Sequence, residues 1–123
     1  MELGVPVLAG TDAGGNPYTV PGFTLHTELQ MFVEAGLTPL QALRTATLEP
    51  ARFFEATDSL GTIAEGKLAD LVLLDGDPLG DIKNTERIRG VVIGGRYLDR
   101  KTLDDLLDAA EKAVKRPGGT PQH

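Results

Sequence analysis

The stretch Val5-Pro6-Val7-Leu8-Ala9-Gly10-Thr11-Asp12-Ala13-Gly14 passes from an apolar run directly into a turn that carries one carboxylate. From Val5 to Ala9 the run is continuous rather than alternating, the pattern of a parallel strand covered on both faces, and such a strand needs neighbours. Residues Ala13 to Gly22, rich in Gly, Pro and Asn, read as a loop leaving the strand's C-terminal end. The residues alone leave Asp12 two readings. It is either a turn residue bonding its own backbone, or a carboxylate at the mouth of a barrel that binds a metal or takes a proton from metal-bound water.

Helical spacing follows the loop. Thr24 is a candidate cap, Leu25, Leu29, Phe32 and Val33 form an apolar stripe that leaves His26, Glu28 and Gln30 aside, and Gly36 suits a left-handed stop. Thr38-Pro39-Leu40-Gln41 combines a capping hydroxyl, a proline at the first helical position and a glutamine three residues after the cap. The second helix so begun has Leu40, Leu43, Ala46 and Thr47 on its apolar side. It is expected to end near Glu49, because a residue before proline is pushed out of the helical region, with another short helical turn over Pro50 to Phe54.

After Asp58 the pattern changes to short strands and turns: Gly61 to Ile63, a turn at Glu65-Gly66, then Ala69 to Leu74. Ile88 to Ile93, Gly94-Gly95 and Arg96 to Leu98 read as a hairpin, since two glycines tolerate the positive φ of a tight turn. A last helix is expected from Thr102, with Leu103, Leu106, Leu107, Ala110 and Val114 on one side, an acidic start and a basic end. The organisation expected is residues 1–58 for the opening strand and helices, 59–100 for a small β unit, 101–116 for the final helix, and a disordered tail over 117–123.

Composition narrows the function classes. In 123 residues, 12 basic against 18 acidic side chains give a net charge of −6, which disfavours nucleic acid and anionic lipid as partners. There is no cysteine, so neither a disulfide nor a thiolate metal site can form, and a reducing cytoplasm is the expected compartment. No apolar run approaches the roughly 20 residues that span a bilayer.

Of the two histidines, His123 lies in the expected tail and His26 at a helix start, so no histidine pair at metal-ligand spacing exists. His26 reads either as a polar helix-start residue or as a group that hydrogen-bonds substrate; Asn16 and Tyr18 either line a pocket or belong to an ordinary loop. The glycines around Asp12 lack the lysine and hydroxyl of a phosphate-binding loop. Ser59, the only serine, has no histidine nearby in sequence, and Asp75, Asp77 and Asp81 lack a calcium-loop pattern and read as a solvated turn.

A series of blocks then carries a likeness. Gly10-Thr11-Asp12-Ala13-Gly14, His26-Thr27-Glu28-Leu29, Glu34 to Leu43, Ala46 to Ala51, Leu60 to Pro78 and Val91 to Arg96 resemble, in order and wording, the C-terminal part of imidazolonepropionase-like and dipeptidase-like members of the amidohydrolase superfamily. The likeness runs over roughly residues 4 to 100. It implies an α/β fold: the last strand-helix unit of a (β/α)8 TIM barrel, the C-terminal part of a small β-sandwich, and a final helix.

In that family Asp12 would be both catalytic residue and metal ligand, His26 a substrate-binding residue, and Lys67 and Asp70 scaffold. The implied cofactor is a divalent metal, zinc above all, and the implied chemistry is hydrolysis of an amide or other C–N bond of a small molecule by activated water. A complete barrel takes about 250 residues, and the family's paired histidines, bridging ligand and later histidines would precede Met1. The chain is therefore expected to be the C-terminal part of a metal-dependent hydrolase, inactive by itself and binding no metal alone. The alternative is a noncatalytic module that folds by homo-oligomerisation or with a partner.

Overall fold

A computed structural model describes residues 4–12 and 22–115. Their elements are helices α1 (Phe23–Glu34), α2 (Pro39–Thr45) and α3 (Leu48–Phe53), strand β1 (Leu71–Leu74), a 3-10 helix (Ile82–Glu86), strands β2 (Ile88–Ile93) and β3 (Arg96–Leu98), and helix α4 (Arg100–Val114). The expected tail over 117–123 and most of the loop after Asp12 lie outside the described residues.

The chain divides into two compact units, Met1–Leu68 with Leu74–Arg87, and Ala69–Leu73 with Ile88–His123. In the first, α1 closes as its glycine foretells. Gly36 takes φ 114°, its N–H donates to the Val33 carbonyl at 3.0 Å, and the Leu37 N–H donates to the Phe32 carbonyl at 3.0 Å. These two bonds satisfy carbonyls that the helix end would otherwise strand. The helix begins at Phe23 after Gly22, not behind a Thr24 cap.

The start of α2 is the reciprocal cap read from the sequence. The Gln41 N–H donates to Thr38 Oγ1 at 3.2 Å, and the Thr38 N–H donates to Gln41 Oε1 at 2.9 Å. Its end differs from expectation: α2 stops at Thr45, and Glu49 and Pro50 lie inside α3. Pro50 is the third residue of the new helix, where an N–H would have no partner within the helix, so the proline costs α3 nothing and sits in its first turn.

Leu29, Ala42 and Ile82 form the buried core of this unit, with Phe32, Val33, Leu43 and Ala46 packed against it. The stripe expected on α1 is thus the buried one except at Leu25, which is 36% exposed. On α2 the buried positions are Ala42 and Thr45, while Leu40 is exposed, and Thr47, expected on this helix, lies beyond its end and is exposed too. Seven residues make about two turns, and the neighbours of Leu43 decide the buried arc more than the sequence stripe does.

Two expected strands are absent. Gly61 to Ile63 is irregular; Gly61 takes φ 95°, and a Cβ there would lie 2.8 Å from the Ala51 Cβ and 3.2 Å from the Leu48 Cα. The segment is a close backbone crossing over α3. Val5 to Ala9 forms no strand either, and Val5 is 61% exposed. A strand exists by the ladder it shares with a neighbour, and among the described residues no strand pairs with this one.

The second unit is built on a sheet of order β1-β2-β3. Antiparallel β2 and β3 match Val91 to Leu98, Val92 to Tyr97 and Ile93 to Arg96, joined by Gly94 and Gly95 at φ 57° and 82°. Two central residues at positive φ make the hairpin turn whose twist suits the strands. The Gly94 N–H donates to Asp70 Oδ1 at 2.8 Å, so Asp70 acts as scaffold. Gly90 is buried beneath the Tyr97 ring, which leaves no room for a Cβ.

Helix α4 begins earlier than expected, at Arg100, because Asp99 rather than Thr102 is its cap: the Thr102 N–H donates to Asp99 Oδ1 at 2.8 Å. Ion pairs Arg100–Asp104 and Lys101–Asp105, each at 2.8 Å, and Lys115–Glu111 run along it. The Thr102 backbone N–H, and after it the Thr102 hydroxyl, hold the Asp99 carboxyl below the usual carboxylate range. A carboxylate lowered on folding contributes stability that is complete above its ordinary value of about 3.9 and is lost as pH falls through the lowered one. The start of α4 is therefore predicted to fray in that acid window. Circular dichroism should show helical signal lost below about pH 3.9 by the native chain and retained further by Asp99→Asn, which keeps the cap and removes the ionisation; identical acid profiles would contradict the cap.

Candidate functional site

Two consecutive amides hold the backbone that leads to Asp12. The Ala9 N–H donates to the Thr45 carbonyl at 2.8 Å. Thr45 is the last residue of α2, so this carbonyl is one of those a helix leaves without an internal partner. Thr45 is itself 1% exposed, and its hydroxyl donates to the Ala42 carbonyl at 2.6 Å. The next amide, Gly10 N–H, donates to Glu28 Oε1 on α1 at 3.0 Å. Past these two anchors Asp12 takes φ 53°, a left-handed conformation that Asp tolerates better than most non-glycine residues. Its side chain is exposed.

His26 lies on α1, half-buried, with Nδ1 2.9 Å from the Thr85 hydroxyl and its ring edge-on to Phe23 at 6.1 Å between centroids. Thr85 is 6% exposed in the 3-10 helix. The pair ties α1 to that helix. No hydrogen bond or ion pair links His26 to Asp12 among the described residues. Asn16, Tyr18 and His123 lie outside them.

The remaining candidates resolve locally. Ser59 donates to the Ala56 carbonyl at 3.3 Å within a turn. Asp77 Oδ1 accepts the Leu79 N–H and Asp81 Oδ1 the Lys83 N–H, both at 2.9 Å, so these carboxylates shape turns. A shallow concavity of about 720 Å³ is lined by Gly4, Pro6, Leu8, Glu49, Arg52 and Phe53. It contains neither Asp12 nor His26, and its one charged pair, Arg52 with Glu49 at 2.9 Å, is internally satisfied.

Among the described residues no three His, Asp or Glu side chains gather as a metal-ligand set. Catalytic zinc takes three protein ligands, so the described donors do not fit a metal by themselves. Sequence reading also missed Glu28, Thr45 and Thr85. The available signal was weak: an acidic residue beside Leu29 on a helix with its core face already filled, and two threonines next to charged or polar neighbours.

The Amidohydrolase family model matches residues 1–98. The chain belongs to the amidohydrolase family. Ochratoxinase of Aspergillus niger is 38% identical over 85 residues, 68% of this chain and 16% of that enzyme. Imidazolonepropionase of Caldanaerobacter subterraneus subsp. tengcongensis is 37% identical over 76 residues, 61% of this chain and 18% of the other. Among solved structures, molinate hydrolase superposes with a TM-score of 0.75 at 32% identity, covering 98% of this chain and 29% of its own. This amidohydrolase chain thus spans less than a fifth of the length of these two curated relatives. The likeness to the amidohydrolase superfamily, with imidazolonepropionase-like and dipeptidase-like members, is borne out. No helix among the described residues is long and apolar enough to cross a membrane.

The Thr85–His26 contact is predicted to be structural. Thr85→Ala and His26→Ala should each destabilise the fold by about 1–3 kcal/mol in urea unfolding, because each leaves a buried or half-buried partner unpaired. An unchanged midpoint in both variants would contradict the tie.

Proposed function

We propose that this chain is the C-terminal portion of a metal-dependent amidohydrolase that cleaves an amide or other C–N bond of a small molecule with activated water. In this reading Val5 to Ala9 is the last strand of a (β/α)8 barrel, α1 and α2 pack outside it, the three-stranded sheet is the later part of a small β-sandwich, and the parent acts in the cytoplasm. The observation that carries the reading is a family match that includes the Asp12 segment, in a chain that spans so small a share of the two curated relatives.

Asp12 is assigned the proton-transferring role. A carboxylate just past the end of a strand stands where barrel enzymes place their chemistry. There it takes a proton from the attacking water and returns it to the leaving nitrogen, a general base and then a general acid. His26 is assigned to the substrate side of the same site. Amidohydrolases generally depend on a metal. Asp12 would supply one ligand, and zinc needs more than this chain's described residues bring together, so no step of the chemistry is assigned to the chain alone.

Two observations favour a second reading as a noncatalytic module completed by self-association. Val5 is 61% exposed, and on β1 Val72 and Leu73 are 57% and 51% exposed, apolar surface of the kind that invites pairing.

Calorimetric titration of the chain with zinc is expected to show no tight stoichiometric binding; a tight one-to-one isotherm would contradict the incomplete ligand set. In a longer protein that contains this segment, Asp12→Asn should lower kcat by about 10²–10⁴-fold. A kcat within a factor of about two of the parent's would overturn the assignment, and a stable dimer of the isolated chain in sedimentation would move the balance to the second reading.

A further inference from the structure

Glu28 occupies a position that a solvated helix residue does not need. Its Oε1 accepts the Gly10 N–H at 3.0 Å. Its Oε2 is buried and, among the described residues, has no hydrogen-bond partner. Withdrawing a carboxylate oxygen from water is costly unless a bond compensates, and α1 already fills its core face with Leu29, Phe32 and Val33. Packing gives no reason for an acid at this position. The bond to Gly10 does.

That bond spans eighteen residues of sequence and ends two residues before Asp12. The neighbouring anchor, Ala9 to the Thr45 carbonyl, uses backbone on both sides and is available whatever side chain stands at 45. The Gly10 anchor is different in kind, because it depends on the side chain at 28. A backbone donor to an ionised carboxylate is also a charge-assisted bond, shorter and roughly twice as strong as a neutral one. Asp12, meanwhile, holds φ 53°, a left-handed conformation unfavourable for a non-glycine residue that persists only where the surroundings fix it. A fixed point two residues upstream supplies part of that constraint.

We propose that Glu28 is a positioning residue: its carboxylate clamps the Gly10 N–H and so sets where the Asp12 carboxylate is presented. Asp12's role as proton carrier is the reading given above, on which this inference rests. The orientation of the acid is then governed from α1, through one side chain, with Glu28 itself touching no substrate.

The test is ¹H–¹⁵N NMR of the 123-residue chain at one neutral pH, with the variants Glu28→Gln and Glu28→Ala. In Glu28→Gln the Gly10 amide should stay near its native position, since the amide oxygen still accepts. In Glu28→Ala the Gly10, Thr11 and Asp12 amides should all move toward unstructured values while the Ala9 amide stays.

A Gly10 amide that keeps its native position in Glu28→Ala would overturn the clamp. Displacement of Gly10 with Asp12 unmoved would overturn the positioning role. Leu29 and Ala42 resonances report whether Glu28→Ala still folds, and if it does not, Glu28→Gln decides: a Gly10 amide moved to an unstructured position there would overturn the clamp. None of these readouts uses catalysis, so they fail or succeed separately from the kcat of Asp12→Asn in a longer protein.

Discussion

The hydrogen bond from the Ala9 amide to the Thr45 carbonyl is the constraint on which the candidate site depends. It joins an apolar segment that has no strand partner among the described residues to the buried core around Leu29, Ala42 and Ile82. The acceptor is available because α2 ends at Thr45 and leaves that carbonyl without a helical partner. It is held still because Thr45 is buried beside Ala42, in the core formed with Leu29 and Ile82. From this anchor the order of causes runs outward: core fixes α2, α2 fixes Ala9, α1 fixes Gly10 through Glu28, and Asp12 is carried two residues beyond.

The same segment shows what the fold lacks. Val5 and Leu8 are 61% and 39% exposed, although their sequence is that of a strand hidden on both faces. The helices that would cover one face are present and folded, while the strands that would flank it are not among the described residues. Family membership and the small share of these relatives that the chain spans accord with the reading proposed above, in which residues 5–9 are a barrel strand.

What the sequence made legible follows a physical division. The Thr38–Gln41 cap, the Gly36 stop and the Gly94-Gly95 hairpin are decided by residues within a few positions of one another, and each was readable with its bonding pattern. The end of α2 was misplaced because Pro50 carries two opposite meanings. It ends a helix it follows and opens a helix it enters, and only the break at Ala46 and Thr47 distinguishes them. Strand character at Val5 to Ala9 was legible as pattern but not as structure, because a ladder is a property of two segments. Asp12 stood out through its strand-end position and its family block, whereas Glu28 did not: its bond links a side chain to an amide eighteen residues away, and no local spacing encodes it.

Hydrogen–deuterium exchange of the isolated chain, resolved by peptide mass spectrometry, tests most directly whether the opening segment is a strand without its neighbours. The account predicts that the amides of Val5, Val7 and Leu8 exchange almost as fast as unstructured peptide while those in the centres of α1 and α2 are slow. Protection at Val5 to Leu8 as deep as that of the helices, at a concentration where the chain is monomeric, would contradict it.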